Sequence, residues 1–132
     1  MREHTGPPER LFDVRLEHLN GLARVRVSGE LDMASQPAFE RAISVAEQHG
    51  SQGLIVDLSD LAFMDSSGLS ALLRARERAE DVERTVSVRG AKGEIQRLLV
   101  VSGLHWVFED AGAPADPEDS VAWERIPFSL DG

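Results

Sequence analysis

Cysteine is missing from this 132-residue sequence, and lysine occurs once, at Lys92. Without cysteine the chain has no disulfide, no thiolate ligand for zinc and no cysteine nucleophile, which excludes several classes of enzyme and metal site. No apolar run approaches the roughly 18 residues that span a bilayer, and the polar start lacks the apolar stretch of a secretion signal. We therefore expect a cytoplasmic protein with no membrane partner.

Positive charge is also scarce. Fourteen basic residues against 23 acidic ones give a net charge of −9, which repels nucleic acid and anionic headgroups. The densest basic cluster, Arg74, Arg76 and Arg78, alternates with acidic residues, as on a solvated helix face. We expect no direct nucleic-acid partner.

The length fits one domain, since single domains commonly have about 100–150 residues. Residues 1–10 are polar and contain two adjacent prolines, which indicates a flexible lead-in. We place the folded domain at 11–110 and an acidic, proline-containing tail at 111–132. The tail is expected to be weakly ordered, although three of its apolar residues could dock onto the domain: Trp123, Ile126 and Phe128.

Alternating apolar residues over 12–18 and 22–28, separated by Asn20-Gly21, predict an antiparallel hairpin. Further along, the short apolar run 54–56 predicts a buried strand, and 59–64 a connection. Strands are also predicted at 85–89 and, as an edge strand, at 106–108. Three stretches with helical spacing lie between these strands, with these apolar positions: Phe39, Ala42, Ile43 and Ala46; Leu69, Leu72, Leu73 and Ala79; Ile95, Leu98 and Leu99.

This order predicts an α/β domain with a mixed sheet of four to five strands, an opening hairpin and crossover helices. The segment Asp65-Ser66-Ser67-Gly68 opens the second predicted helix. A helix start tolerates a phosphoryl group because its backbone N–H groups are unpaired and carry partial positive charge. The same residue types also serve in plain helix capping. Local sequence leaves both interpretations open.

Three motifs in order resemble the STAS domain, and bacterial anti-sigma factor antagonists in particular. They are Gly29-Glu30-Leu31-Asp32, the stretch from Phe63 to Leu69, and the stretch from Leu98 to Leu104. The resemblance extends from about Leu11 to Asp110. It implies a single STAS-type domain and a binding protein that is not an enzyme.

The resemblance also implies a partner switch. In such proteins the unphosphorylated antagonist binds an ATP-dependent anti-sigma factor serine/threonine kinase and frees the sigma factor. The kinase then phosphorylates the antagonist and releases it, and a serine phosphatase resets it. The modified serine follows the aspartate of the motif, which here is Ser66 after Asp65, with Ser67 as the capping neighbour and Gly68 next in the loop.

Asp32 matches a position that the family places beside this loop, within the face that binds the kinase. The alternative interpretation of Asp32 is a turn aspartate, and the same two interpretations apply to Glu30. The implied partner-binding set is therefore Glu30, Asp32, Asp65, Ser67 and Gly68.

Two other functions remain as alternatives. One is a STAS scaffold or accessory subunit in a sensory or transporter complex, without a serine switch. The other is a small nucleotide-binding enzyme, for which the sequence offers no Gly-x-x-x-x-Gly-Lys loop. Asp57, Asp60 and Asp65 could suggest a phospho-aspartate receiver, but no acidic pair ends the first strand. We expect no metal and no cofactor, and the sequence leaves the oligomeric state open.

Overall fold

The structure, a computed structural model, describes residues 11–104 and 123–131. Within these ranges the chain forms five strands and three helices. In chain order they are β1 (Asp13–Leu19), β2 (Leu22–Leu31), α1 (Gln36–Glu47), β3 (Gly53–Met64), α2 (Ser66–Asp81), β4 (Thr85–Arg89), α3 (Gly93–Val101) and β5 (Glu124–Ile126). The predicted edge strand at 106–108 and the predicted domain limit at 110 lie outside the described residues.

The opening hairpin is confirmed. β1 and β2 pair in antiparallel fashion up to Leu19 and Leu22. Asn20 and Gly21 join the strands with φ angles of 50° and 83°. Positive φ at both central residues suits a two-residue hairpin turn, because the twist of such a turn matches that of the strands.

The sheet has the strand order β4-β3-β2-β1-β5. β2, β3 and β4 run parallel, and α1 and α2 connect them as crossover helices. β1 is antiparallel to both of its neighbours, β2 and β5. The predicted mixed α/β architecture is therefore confirmed.

β3 is much longer than predicted. The sequence indicated a strand over 54–56 and a connection over 59–64, but the strand runs from Gly53 to Met64. β2 is equally extended and pairs with it as far as Leu31 and Met64, with two irregularities in register. Pairing with β2 keeps residues 59–64 in a strand, although the polar residues among them are typical of a loop.

The core lies on one face of the sheet. Side chains of successive strand residues point to opposite faces, so Val25 and Val56, which are paired, are both buried in the core. α1 packs on this core with the four apolar residues predicted for it, all fully buried: Phe39, Ala42, Ile43 and Ala46. In α2, Leu69 and Leu72 are buried as predicted, whereas Leu73 is only half-buried.

Ion pairs hold α1 and α2 side by side. The Arg74 guanidinium donates hydrogen bonds to the Glu40 carboxylate, with Nε to Oε1 at 3.3 Å. Arg78 similarly contacts Glu47 at 3.1 Å. The hydrogen bond from Arg74 lowers the pKa of Glu40 although partial burial opposes the shift, and the same bond raises the pKa of Arg74. These contacts join the middle of α1 and its last residue to the second half of α2.

The described part of the tail docks onto the domain. Glu124–Ile126 forms β5 against β1, Ile126 is 4% exposed, and Phe128 packs against the core. The Trp123 ring lies 4.1 Å from the guanidinium carbon of Arg24. The expectation of a weakly ordered tail is therefore wrong for these residues. The strand was missed because three residues are too few to show a periodic pattern in the sequence.

We predict that Leu72→Ala lowers the free energy of unfolding by about 2–5 kcal/mol, since it removes a buried side chain that is 1% exposed and leaves a cavity. Leu73→Ala, on the same helix but half-buried, is the matched control and is expected to cost less. Chemical denaturation measures both. Equal losses would contradict the orientation of α2.

Candidate functional site

The candidate site lies where β2 and β3 end together. Leu31 and Met64 are the last paired residues of these parallel strands, and Asp32 and Asp65 directly follow them. The amide of Asp65 donates a hydrogen bond of 3.2 Å to the carbonyl oxygen of Leu31. Carboxyl ends of neighbouring parallel strands are a common location for binding sites in α/β proteins.

Asp65 caps α2. Its backbone is extended, and its Oδ1 accepts a hydrogen bond of 2.8 Å from the amide of Ser67. Its carbonyl oxygen accepts bonds from the amides of Gly68 and Leu69, at 3.1 and 3.3 Å. The helix therefore begins at Ser66, whose side chain is exposed, whereas Ser67 is half-buried. The capping role belongs to Asp65, and Ser67 supplies the amide that it caps.

Gly68 allows close packing of the first turn of α2. A Cβ at this position would lie 2.6 Å from Met64 Cγ and 2.9 Å from Leu31 Cδ2. Both neighbours are buried, at 5% and 0% exposure, and have little room to move. Glycine at position 68 thus sets the distance between the start of α2 and the two strand ends.

Asp32 forms a tight turn before α1. Its Oδ1 accepts hydrogen bonds from the amides of Ala34 and Ser35, at 3.0 and 3.1 Å, and lies 3.2 Å from the Ser35 hydroxyl. The carbonyl oxygen of Asp32 accepts a bond from the amide of Gln36, the first residue of α1. These contacts give Asp32 a structural role in the turn.

Glu30 lies near Asp32 in the same depression. Its carbonyl oxygen accepts a hydrogen bond of 2.8 Å from the Ser35 hydroxyl, and its side chain is half-buried. Glu30 and Asp32 line an open cavity of about 350 Å³ together with Ala34, Ala38 and others. Two of the predicted partner-binding residues therefore share one surface depression.

The arrangement offers an accessible hydroxyl, that of Ser66, at a helix start. Among residues 11–104 and 123–131, no group of three His, Asp or Glu side chains is arranged to hold a metal ion. Asp57 is engaged locally, since its Oδ1 accepts a bond of 2.9 Å from the amide of Ser59 and its Oδ2 lies 3.6 Å from Arg26 Nε. In the same ranges, no helix combines the length and apolar character that crossing a bilayer requires.

Two exposed apolar residues near the site were missed from the sequence. Met33, beside Asp32, is 75% exposed, and Phe63, two residues before Asp65, is 47% exposed. Phe63 occurs in the segment that was interpreted as a connection, and local sequence does not reveal which way its side chain points. Single exposed apolar residues are common on protein surfaces, so these two by themselves assign no contact.

A family model described as "Mlab, STAS domain" matches residues 15–108. The anti-sigma-B factor antagonist of Staphylococcus aureus (strain NCTC 8325 / PS 47) is 29% identical over 80 residues, which cover 61% of this chain and 74% of that protein.

Solved structures of anti-sigma factor antagonists also match this chain. The unphosphorylated form of the anti-sigma factor antagonist SpoIIAA matches with a TM-score of 0.65 and 26% identity over 72% of this chain and 84% of that one. Phosphorylated SpoIIAA from Bacillus matches with a TM-score of 0.60 and 26% identity, covering 72% and 87% of the two chains. An anti-sigma factor antagonist from Mycobacterium paratuberculosis has a TM-score of 0.63 and 29% identity, and the match covers 88% and 93%.

We predict that Gly68→Ala lowers the free energy of unfolding by about 1–3 kcal/mol, because the added methyl group overpacks the contact with Met64 and Leu31. Ser70→Ala, at an exposed position of the same helix, is the control and is expected to change stability little. Thermal or denaturant unfolding of both variants provides the measurement. Wild-type stability for Gly68→Ala would contradict the close approach.

We predict that Asp32→Ala lowers the free energy of unfolding by about 0.5–2 kcal/mol, since the amides of Ala34 and Ser35 lose their acceptor. Asp32→Asn keeps an oxygen at this position and removes only the charge, so it is expected to stay closer to the wild type. Denaturation curves of the two variants test this. If both lost the same stability, the charge of Asp32 and not its acceptor role would hold the turn.

Proposed function

The chain belongs to the STAS domain family, and on this premise we propose that it is a cytoplasmic anti-sigma factor antagonist regulated at Ser66. In its unphosphorylated form it binds an ATP-dependent anti-sigma factor serine kinase and thereby frees a sigma factor. Phosphorylation of Ser66 ends this binding, and a serine phosphatase restores it. The chain thus acts by binding, and its partner supplies the catalysis.

The known roles of similar proteins support this proposal. The Staphylococcus protein is named an anti-sigma-B factor antagonist, and SpoIIAA is described as an anti-sigma factor antagonist with an unphosphorylated and a phosphorylated form. Both SpoIIAA forms share this fold. A phosphorylation switch therefore fits the architecture.

The exposure of Ser66 at the start of α2 is the observation that carries the proposal. In the reaction the Ser66 oxygen bonds to the γ-phosphorus of ATP while the bond from that phosphorus to the ADP oxygen breaks. The hydroxyl proton passes to a base of the kinase. Ser67 is the less accessible hydroxyl, because it is half-buried below the cap.

Phosphorylation is expected to affect binding more than folding. A phosphate adds about −1.5 to −2 charges at neutral pH. The partial positive charge at the start of α2 stabilises this added negative charge in the folded protein by roughly 0.3–1 kcal/mol. A partner that docks over Ser66 must also desolvate the phosphate, and this cost adds to the binding free energy.

The neighbouring residues take different parts in this proposal. Asp65 and Gly68 position the serine through the cap and the close packing of α2. Ser67 completes the cap with its amide. Asp32 and Glu30 contribute negative charge to the surface that the kinase contacts. Asp32→Asn separates this role from the turn, since it removes charge and keeps an acceptor.

We predict that phosphorylated protein binds the kinase at least about a hundredfold more weakly than unmodified protein, which corresponds to about 2.7 kcal/mol. Ser66→Ala is expected to bind persistently and to resist phosphorylation, and Ser66→Asp to bind poorly. The probe is each anti-sigma factor kinase encoded in the same genome, purified and loaded with ATP or ADP. Calorimetric titration gives the affinities, and mass spectrometry locates the phosphate.

Ser67→Ala is the matched control, since it removes the adjacent hydroxyl and leaves the amide that Asp65 caps. It should bind and accept phosphate on Ser66 like the wild type. Phosphate found only on Ser67 would show that the modified residue was chosen wrongly. Kinase binding with equal affinity before and after phosphorylation would favour the alternative of a STAS scaffold without a serine switch.

A further inference from the structure

A cavity lies at the end of the sheet opposite to Ser66, between the ends of α1 and α2 and the start of β4. It has a volume of about 210 Å³, and its apolar lining includes Leu54, Ala79, Val82 and Val86. We call it the distal cavity. Leu54, Ala79 and Val86 are buried, whereas Val82 is 53% exposed. The distal cavity therefore has a packed apolar floor and opens to solvent beside Val82.

Three charged residues also line the distal cavity: Glu47, Arg78 and Arg84. Arg78 pairs with the Glu47 carboxylate at 3.1 Å. The half-buried Arg84 donates a hydrogen bond of 2.9 Å from Nη1 to the carbonyl oxygen of Glu47, the last residue of α1. Among the residues that the structure describes, no carboxylate lies within ion-pair distance of Arg84. The charged lining therefore retains one positive charge, in a chain whose net charge is −9.

The turn after α2 determines where Arg84 lies. Its amide donates a hydrogen bond of 2.9 Å to the carbonyl oxygen of Ala79, which lines the cavity. The preceding residue, Glu83, has a φ of 59°, a left-handed conformation that is unfavourable for residues other than glycine. Strained backbone of this kind is concentrated at functional sites. The chain therefore accepts strain at the residue that leads into Arg84.

The chemistry of the lining indicates which kind of molecule fits. The carbonyl contact of Arg84 complements the end of α1, but it uses one of the five N–H donors of a guanidinium group. A carboxylate can accept two parallel hydrogen bonds from such a group. The volume of about 210 Å³ lies below the roughly 300–1,000 Å³ of sites for drug-sized ligands, so the ligand must be small.

We propose that the distal cavity binds a small monocarboxylate, with its apolar part against Leu54 and Val86 and its carboxylate on Arg84. Such a ligand contacts α1, α2 and β4 together and stabilises the folded domain. Leu54 and Met64 are ten residues apart along β3, which corresponds to roughly 33 Å at about 3.3 Å per strand residue. The bound ligand therefore leaves Ser66 accessible, and this inference does not depend on the function proposed above.

Two pairs of probes test the role of the carboxylate: benzoate against benzamide, and hexanoate against hexanamide. The members of each pair share their apolar part and differ in the charged group. Two-dimensional NMR titration of the full chain is expected to show saturable shifts at residues of the distal cavity with both carboxylates. Both amides are expected to bind at least about tenfold more weakly, because they cannot form the charge-assisted bonds with Arg84.

Variants test the role of positive charge at the cavity. Arg84→Gln is expected to weaken benzoate binding by about tenfold or more and to leave benzamide binding unchanged. Arg89→Gln, at the other end of β4 and outside the cavity lining, is the control and should bind benzoate like the wild type. Val82→Glu and Val82→Gln form a second matched pair at the exposed opening. The glutamate is expected to weaken benzoate binding more than the glutamine does, since only the glutamate repels the carboxylate.

Several results would overturn the proposal. They are an absence of saturable shifts at cavity residues with about 10 mM benzoate, where even a millimolar site is mostly occupied, or equal affinities for benzoate and benzamide. Wild-type benzoate binding by Arg84→Gln would do the same. Thermal unfolding is an independent check, since benzoate should raise the unfolding midpoint of the wild type but not that of Arg84→Gln. None of these measurements involves the kinase, so failure here leaves the function proposed above untouched.

Discussion

The location of Ser66 depends on the alignment of β2 with β3, which ends at the pair Leu31 and Met64. The hydrogen bond from the Asp65 amide to the Leu31 carbonyl extends this alignment into the turn that starts α2. A slip by one residue would point the core side chains of β3 towards solvent, so burial of one face fixes the register. Gly68 then holds the helix against the same two strand ends. The position of one exposed hydroxyl is thus set by the core.

Negative charge at this edge of the sheet has a structural explanation. Asp65 accepts an amide hydrogen bond at the start of α2, where a carboxylate is favourable, and Asp32 accepts two in the turn that precedes α1. Both carboxylates at the ends of β2 and β3 therefore have hydrogen-bond partners within the fold. In the function proposed above, the same negative charge opposes a phosphate on Ser66. Helix capping and the proposed switch use the same residue types, which is why local sequence could not separate them.

The sequence predicts most of the fold because hydrophobic periodicity is strong in its elements. The hairpin follows from alternation around Asn20-Gly21, and α1 from four apolar residues at helical spacing. The predictions fail where a distant strand determines the structure. Residues 59–64 join β3 only because β2 is long enough to pair with them, and β5 forms only because β1 offers an edge. The exposure of Phe63 could not be predicted either, since it depends on the three-dimensional packing around the end of β3.

In the function proposed above, stability and regulation can be separated because of where the buried area lies. α2 is held by its whole buried face, which includes Leu69 in the first turn as well as Leu72 and Ala75 beyond it. Most helix stability in proteins comes from packing of the apolar face rather than from the terminus. Charge added at the exposed Ser66 side chain therefore lies outside this packed face, on the first turn of α2. When a partner covers that turn, the added charge must be desolvated, and the full cost of this desolvation enters the binding free energy. A site at the start of a well-packed helix can thus switch binding on and off while the domain remains folded.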